Sequence, residues 1–220
     1  MKKSALSILL ALTLCIGMGM PAIASGPVHE NAITDVSSTS HALFFVPEQE
    51  EPSAWAAELV NAAIAANVVP QALQSKYIQA TTRAEFCALA VAFYEKVTGT
   101  QITERMQFND TSDVNVQKMG AVGVVAGTGN GNFSPDQKLT REQAATMLSR
   151  LANIIDHPMP DLAPTFADNA NISEWAVDAV GHVQAAGIMS GVGNNTFSPL
   201  ADYTREQSII TIMRMFDFVK

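Results

Sequence analysis

Two stretches of the chain are copies of one another. Residues 123–135 and 187–199 align without a gap: three glycines coincide, as do an aromatic residue and a Ser-Pro pair, at an offset of 64 residues. Seven residues beyond each aromatic, Phe133 and Phe197, stands a tetrad in the same register, Thr140-Arg141-Glu142-Gln143 and Thr204-Arg205-Glu206-Gln207. A third tetrad is Thr82-Arg83-Ala84-Glu85. Self-similarity at fixed spacing means that the chain is built from copies of one supersecondary unit.

The unit reads as helix, glycine-rich loop, helix. Upstream of the second glycine loop, Ala176, Ala179, Val180 and Val183 fall on one helical face behind Trp175. Trp55 opens a similar stretch with Ala56, Leu59, Val60, Ala63 and Ile64. The loop glycines suit positive φ or close backbone approach, Phe133 and Phe197 plug each loop into a core, and Pro135 and Pro199 stiffen the path onward. Each second helix opens on a capping box. The threonine hydroxyl accepts from the third helical N–H, and Glu85, Gln143 or Gln207 reaches back to the N–H of the cap. Apolar stripes follow: Phe86, Leu89, Ala90, Phe93 and Tyr94; then Ala144, Met147, Leu148, Leu151 and Ala152; then Ile209, Ile212, Met213 and Phe216. Gly99 is placed to end the first of these helices.

Residues 1–24 have the form of a secretory signal peptide, with Lys2 and Lys3 ahead of an apolar run and small residues at Ala22 and Ala24, so cleavage is expected after Ala24. Cleavage takes the formal charge from −8 to about −10. An acidic chain without a clustered basic face argues against nucleic acid and against anionic lipid, and no later segment is apolar enough to cross a bilayer. Only Cys87 survives processing, so no intramolecular disulfide is available and the fold stands on its core; that thiol reads as buried and inert. Residues 25–51 read as a leader or linker, with a short apolar run at 42–46.

These residues resemble the S-layer homology (SLH) family of bacterial surface proteins. The resemblance rests on Phe166-Ala167-Asp168, the Trp175 helix, Gly187-Ile188, the loop from Gly191 through Gly193 and Phe197 to Pro199, and the three Thr-Arg tetrads. It covers residues 52–220 as three divergent repeats at 52–100, 101–157 and 158–220. The resemblance implies a mostly α fold, a pseudo-threefold bundle of three helix–loop–helix repeats with grooves between neighbours. It implies a non-catalytic module, secreted to the cell wall or S-layer, that holds a secondary cell-wall polysaccharide, in that family often pyruvylated, or another wall glycan. No cofactor and no metal enter this reading. The ligand residues carried over are Arg83, Arg141 and Arg205, supported by Trp55 and Trp175. The pattern is broken in two places. Repeat one has Asn67 for the glycine before its apolar pair and residues 74–79 for the glycine loop, and repeat two is six residues shorter before its loop and has no tryptophan. One or two defective grooves are therefore expected, with binding resting on the repeat-three side.

Each of these residues also has a purely structural reading. An arginine at the first helical position opposes the macrodipole, at a cost of a few tenths of a kcal/mol, roughly. Three such placements suggest another use: a fork-shaped bond to Asp110, Asp136, Asp168 or Asp202, or an external carboxylate held beside free helix N–H groups. On the second reading, loss of all three arginines releases the protein from polymer-bearing walls and leaves its helix content unchanged. Trp55 and Trp175 read first as core anchors and second as sugar-stacking faces. The asparagines of the loops lack the carboxylates of a calcium site, and the glycines follow no strand, which excludes a dinucleotide fingerprint. His29, His41, His157 and His182 show no metal spacing and no evident acid partner. Two alternatives stay open: a self-assembling or partner-docking envelope protein, and, more distantly, a wall hydrolase in which Glu142 and Glu206 share a cleft.

Overall fold

The three Thr-Arg tetrads meet through their backbones. Thr81 N donates to Tyr203 O (2.8 Å), Tyr203 N to Leu139 O (3.0 Å), and Leu139 N to Thr81 O (3.0 Å), which closes a ring of three hydrogen bonds. Isolated antiparallel bridges flank it at Ala80 with Thr204, Thr82 with Lys138, and Thr140 with Asp202. The structure, a computed structural model, describes residues 50–220. The signal peptide, nearly all of the leader and the run at 42–46 lie outside the described residues.

From this ring the chain builds a mostly α fold. The helices are α1 (Ala57–Ala65), α2 (Arg83–Thr98), α3 (Val114–Ala121), α4 (Arg141–Ile154), α5 (Val177–Ala185) and α6 (Arg205–Phe218), with single 3₁₀ turns at Gln71–Leu73, Asn169–Asn171 and Glu174–Ala176. Among the described residues no helix is long and apolar enough to cross a membrane. The long helices α2, α4 and α6 each follow a threonine in extended conformation, and all three capping boxes are formed. Gly99, at φ +67°, ends α2 in the left-handed conformation that glycine adopts without steric cost.

Capping leaves two amides of each first turn to be satisfied, and the neighbouring repeat supplies the acceptors. Arg83 N and Ala84 N donate to Gln137 O and Pro135 O; Arg141 N and Glu142 N to Ala201 O and Pro199 O; Arg205 N and Glu206 N to Gln79 O and Tyr77 O. With the cap and its reciprocal bond, all four orphan donors of each long helix have partners. The free helix N–H groups expected to receive an external anion are therefore already occupied.

The helices exchange between repeats in the same sense. The short helix of a repeat lies on the long helix of the preceding one: α3 on α2, α5 on α4, and α1 on α6, with α2 also against α6. Phe133 and Phe197 are wholly buried and pack in tilted pairs with Phe108 and Phe166 at 5.3 and 5.2 Å between ring centroids, which is the plugging role read from the sequence. The stripes of α2, α4 and α6 line one continuous core, with Tyr94 and Phe216 at its margin. Cys87 lies in that core, and burial pushes its thiol well above the ordinary range.

Replacing Thr140 or Thr204 with alanine removes the acceptor of one first-turn amide and is expected to cost about 1 kcal/mol at either site. Serine at the same positions keeps most of the stability. Urea unfolding, with the slope unchanged and the midpoint lowered, checks both statements.

Candidate functional site

Between adjacent repeats the loops are anchored from below by an aspartate and from the side by an arginine. In repeat two, Asp110 accepts from Phe133 N and Ser134 N, both at 2.7 Å. In repeat three, Asp168 accepts from Phe197 N and Ser198 N, also at 2.7 Å. Ser134 and Ser198 sit at positive φ, and the paired amides hold that turn. The bonds from the loop amides, Phe133 first, together with the charge of Arg83, depress the Asp110 pKa. For Asp168, desolvation acts upward, but the two amides and the nearby Arg141 outweigh it and the pKa is again lowered. In repeat one Glu50 takes part of this duty, accepting from Lys76 N at 2.6 Å.

The arginines come from the preceding repeat. Arg83 donates through Nε to Phe133 O (3.0 Å) and through Nη2 to Ala126 O (3.1 Å), with its guanidinium 4.4 Å from the Phe133 ring centroid. Arg141 donates likewise to Phe197 O (2.7 Å) and Ser190 O (2.8 Å), 4.8 Å from the Phe197 centroid. Both side chains are buried, and desolvation lowers both pKa values, with Asp110 and Asp168 pulling the other way. The expected fork to an acid is not the arrangement found: carbonyl oxygens and an aromatic face hold these two cations. Asp110 and Asp168 are spent on loop amides, Asp202 pairs with Lys138, and Asp136 is exposed. Nη1 of Arg83 and of Arg141 has no partner among the described residues.

Each of these two arginines opens onto a groove. One groove, about 380 Å³, is lined by Trp55, Arg141, the loop from Ser190 to Val192, Tyr203, Gln207 and Arg214. The other, about 260 Å³, is lined by Arg83, the loop from Val125 to Thr128, Gln143, Arg150 and Trp175. The loops and long helices correspond at the 64-residue offset and the two arginines hold the same place in their tetrads, so each groove takes an arginine from one repeat, a loop and long helix from the next, and a tryptophan from the third. Gly127 and Gly191 are required at the rims, since a Cβ there would lie 2.6 Å from Asn132 O and 2.7 Å from Thr196 O. Trp55 and Trp175 are 62% and 56% exposed, so they are not the core anchors that their spacing suggested. They stand at the start of α1 and α5, just outside the buried faces of those helices.

Arg205 is placed differently. It donates through Nη1 to Ser75 O (2.6 Å) and pairs through Nη2 with Glu85, while its Nε is buried with no partner among the described residues. Ser75 stands where the other repeats have phenylalanine, so the loop ring that backs Arg83 and Arg141 has no counterpart here. Trp55 and Arg141 are thus brought together in one groove and Trp175 and Arg83 in the other; Arg205 lines neither. The sequence reading missed Arg150 and Arg214, although each lies ten residues beyond its tetrad threonine, with Ala92 at that place in repeat one.

Other groups are committed elsewhere. Glu142 accepts from Ser173 N and Oγ, at 3.0 and 2.9 Å, and Glu206 accepts from Ser53 N and Oγ, both at 3.0 Å. Each carboxylate ties a short helix to the preceding repeat, so the two do not form a shared dyad. His182 does have an acid partner, in contrast to the sequence reading: its Nε2 lies 3.2 Å from Asp161 and its Nδ1 2.9 Å from Ser149 Oγ, a link between residues 21 and 33 apart in the chain. No group of three or more metal-ligating side chains occurs among the described residues.

The family described as "S-layer homology domain" matches residues 116–145 and 165–207, which include both groove loops together with Arg141, Gln143, Trp175 and Gln207. An endoglucanase of Bacillus sp. (strain KSM-635) is 27% identical over 217 residues, 94% of this chain and 21% of that protein. The S-layer protein sap of Bacillus anthracis and an S-layer protein of Bacillus thuringiensis subsp. finitimus are each 38% identical over 78 residues, 35% of this chain and 9% of theirs. The chain thus spans about a fifth or less of the length of these relatives.

Because Asp110 and Asp168 ionise at lower pH in the folded chain than in the unfolded one, their stabilisation is complete above the unfolded aspartate value of about 3.9 and is lost as pH falls through the lowered folded value. The thermal midpoint is expected to drop across that acid range. A chain carrying Asp110→Asn and Asp168→Asn should melt lower at neutral pH and lose less on acidification; melts at several pH values measure both.

Proposed function

We propose that this chain, an S-layer homology-domain protein of the bacterial cell envelope, holds an acidic wall polysaccharide in its two tryptophan-flanked grooves without cutting it. Proteins of this family are cell-envelope anchoring modules that bind cell-wall components, and the chain is secreted and resides at the cell wall or S-layer. The finer reading adds the chemistry. Three repeats form a pseudo-threefold bundle, and its seams take the polymer.

The observation that carries the reading is the recurrence of one composite surface at two seams: an exposed indole, a guanidinium whose Nη1 has no partner among the described residues, a second arginine and a glutamine amide. Exposing two tryptophans to water gains nothing for folding, whereas an indole is a suitable floor for the apolar face of a sugar ring. A guanidinium drawn out of water but still charged attracts a carboxylate more strongly than one in bulk solvent. A pyruvylated sugar supplies both an apolar ring face and a carboxylate, and other acidic wall glycans do so as well. The serine contacts of Glu142 and Glu206 weigh against the hydrolase alternative.

The geometry changes which substitutions test the reading. Alanine at Arg83 or Arg141 strands buried carbonyls of the loop and is expected to destabilise the chain by about 2 kcal/mol or more, so release from the wall by such a variant is ambiguous. Trp55→Ala combined with Trp175→Ala touches only exposed side chains. The wild-type chain is expected to sediment with purified walls, and to stay in solution once the secondary polymer has been chemically stripped. The double tryptophan variant should keep its melting temperature and bind about tenfold more weakly or worse. Retention on stripped walls would favour the self-assembling or partner-docking alternative, which light scattering separates further. Unchanged binding of the folded double variant would overturn the groove reading.

A further inference from the structure

We infer that Glu85 occupies the third seam as a built-in substitute for ligand, so that the chain offers two receptor grooves and not three. This inference rests on the reading of the grooves given above. At the two open seams the third residue of the long helix is Gln143 or Gln207, each lining its groove beside Arg83 or Arg141. At the third seam the same position is Glu85, and its carboxylate is bonded to Arg205. One oxygen of Glu85 caps its own helix through Thr82 N at 2.9 Å, as the glutamines do, and the other reaches across the seam to the guanidinium.

The rest of the seam agrees. Arg205 is buried and its Nε has no acceptor among the described residues, because Ser75 O is taken by Nη1 instead. Without the loop phenylalanine and with one donor unpartnered among the described residues, this guanidinium needs an anion inside the fold, and Glu85 is the anion that reaches it. The same seam has Ala92 where the others have Arg150 and Arg214, and the repeat that would supply its indole has no tryptophan. A carboxylated ligand arriving there would have to displace a carboxylate already held at no loss of translational entropy.

The choice between glutamine and glutamate at one position therefore sets whether a seam is open. Glutamine keeps the capping box, since two repeats already use it, so Glu85→Gln is compatible with the fold. The converse changes, Gln143→Glu and Gln207→Glu, place a carboxylate in front of Arg83 and Arg141 and close the open seams.

The test is a titration with D-glucuronate, a simple carboxylated sugar, followed through the arginine Nε–H resonances in NMR spectra of the whole chain. In the wild type, Arg83 and Arg141 should shift saturably while Arg205 stays still. In Glu85→Gln, Arg205 should join them. Gln143→Glu should weaken the response of Arg83 about tenfold or more and leave Arg141 unchanged, and Gln207→Glu should do the reverse. If Arg205 responds in the wild type, or if both converse variants fold and respond as the wild type does, the role of Glu85 is overturned and the groove reading stands. If no arginine responds in any of the four chains, the groove reading itself fails, and this inference with it. Should Glu85→Gln not fold, the two converse variants still decide the matter.

Discussion

Three amides and three carbonyls, from Thr81, Leu139 and Tyr203, close on one another, and most of the architecture follows from that ring. Fixing those residues places the next residue of each repeat, a threonine, in the extended conformation of an N-cap. It also brings the loop carbonyls of each neighbour over the first turn of the helix that follows. Of the four donors that each long helix leaves unpaired at its start, two are thus satisfied across the seam and two by its own capping box. Helix start, loop end and seam are one structure, and none of the three can be formed without the others.

The arginines show how such a seam tolerates charge. A buried guanidinium costs several kcal/mol, roughly, unless its donors are matched. Arg83 and Arg141 meet that cost with two backbone carbonyls and the face of a phenylalanine, all neutral acceptors. Neutral partners satisfy the donors without an ion pair, and Asp110 and Asp168, bonded to the loop amides, act on these charges only through space, so an external acid still gains from approaching. Arg205 is matched by an internal acid, and the charge there is cancelled. The structural and ligand readings of these residues are therefore compatible, since Nε and Nη2 hold the loop while Nη1 has no partner among the described residues.

Elements governed by local chemistry were legible in the sequence. The capping boxes, the αL stop at Gly99, the buried stripes of α2, α4 and α6, and the plugging phenylalanines all depend on residues within a turn or two of each other. What the sequence did not show depends on which repeat faces which. Arg83, Arg141 and Arg205 find partners 50, 56 and 130 residues away, and these are loop carbonyls where the sequence reading offered Asp110, Asp136, Asp168 or Asp202. Trp55 and Trp175 were misread because they precede apolar helical faces, yet each stands before the first helical residue and so points away from the stripe that follows. Arg150 and Arg214 could have been found, because they recur in register; they were hidden by reading the long helices for their apolar face alone.

The divergence of repeat one also has a physical logic. Ala84 stands where the other tetrads have the glutamate that ties down a neighbouring serine, and α3, the helix it would have served, is capped instead by its own Asp113, whose carboxylate accepts from Asn115 N and Val116 N. The loss of one contact is matched by the gain of another in the adjacent repeat. Such matching is expected of a closed ring and not of an open row. In a linear array each repeat touches only its neighbours, and an end repeat can fray without consequence. Here Glu206 holds Ser53 across 153 residues and Arg205 holds Ser75 across 130, so the last repeat completes the first. Closing so long a loop costs entropy once, and after that every seam supports the other two. A ring of this kind can give up ligand chemistry at one seam and use it for internal pairing, while the remaining seams keep their shape for an outside partner.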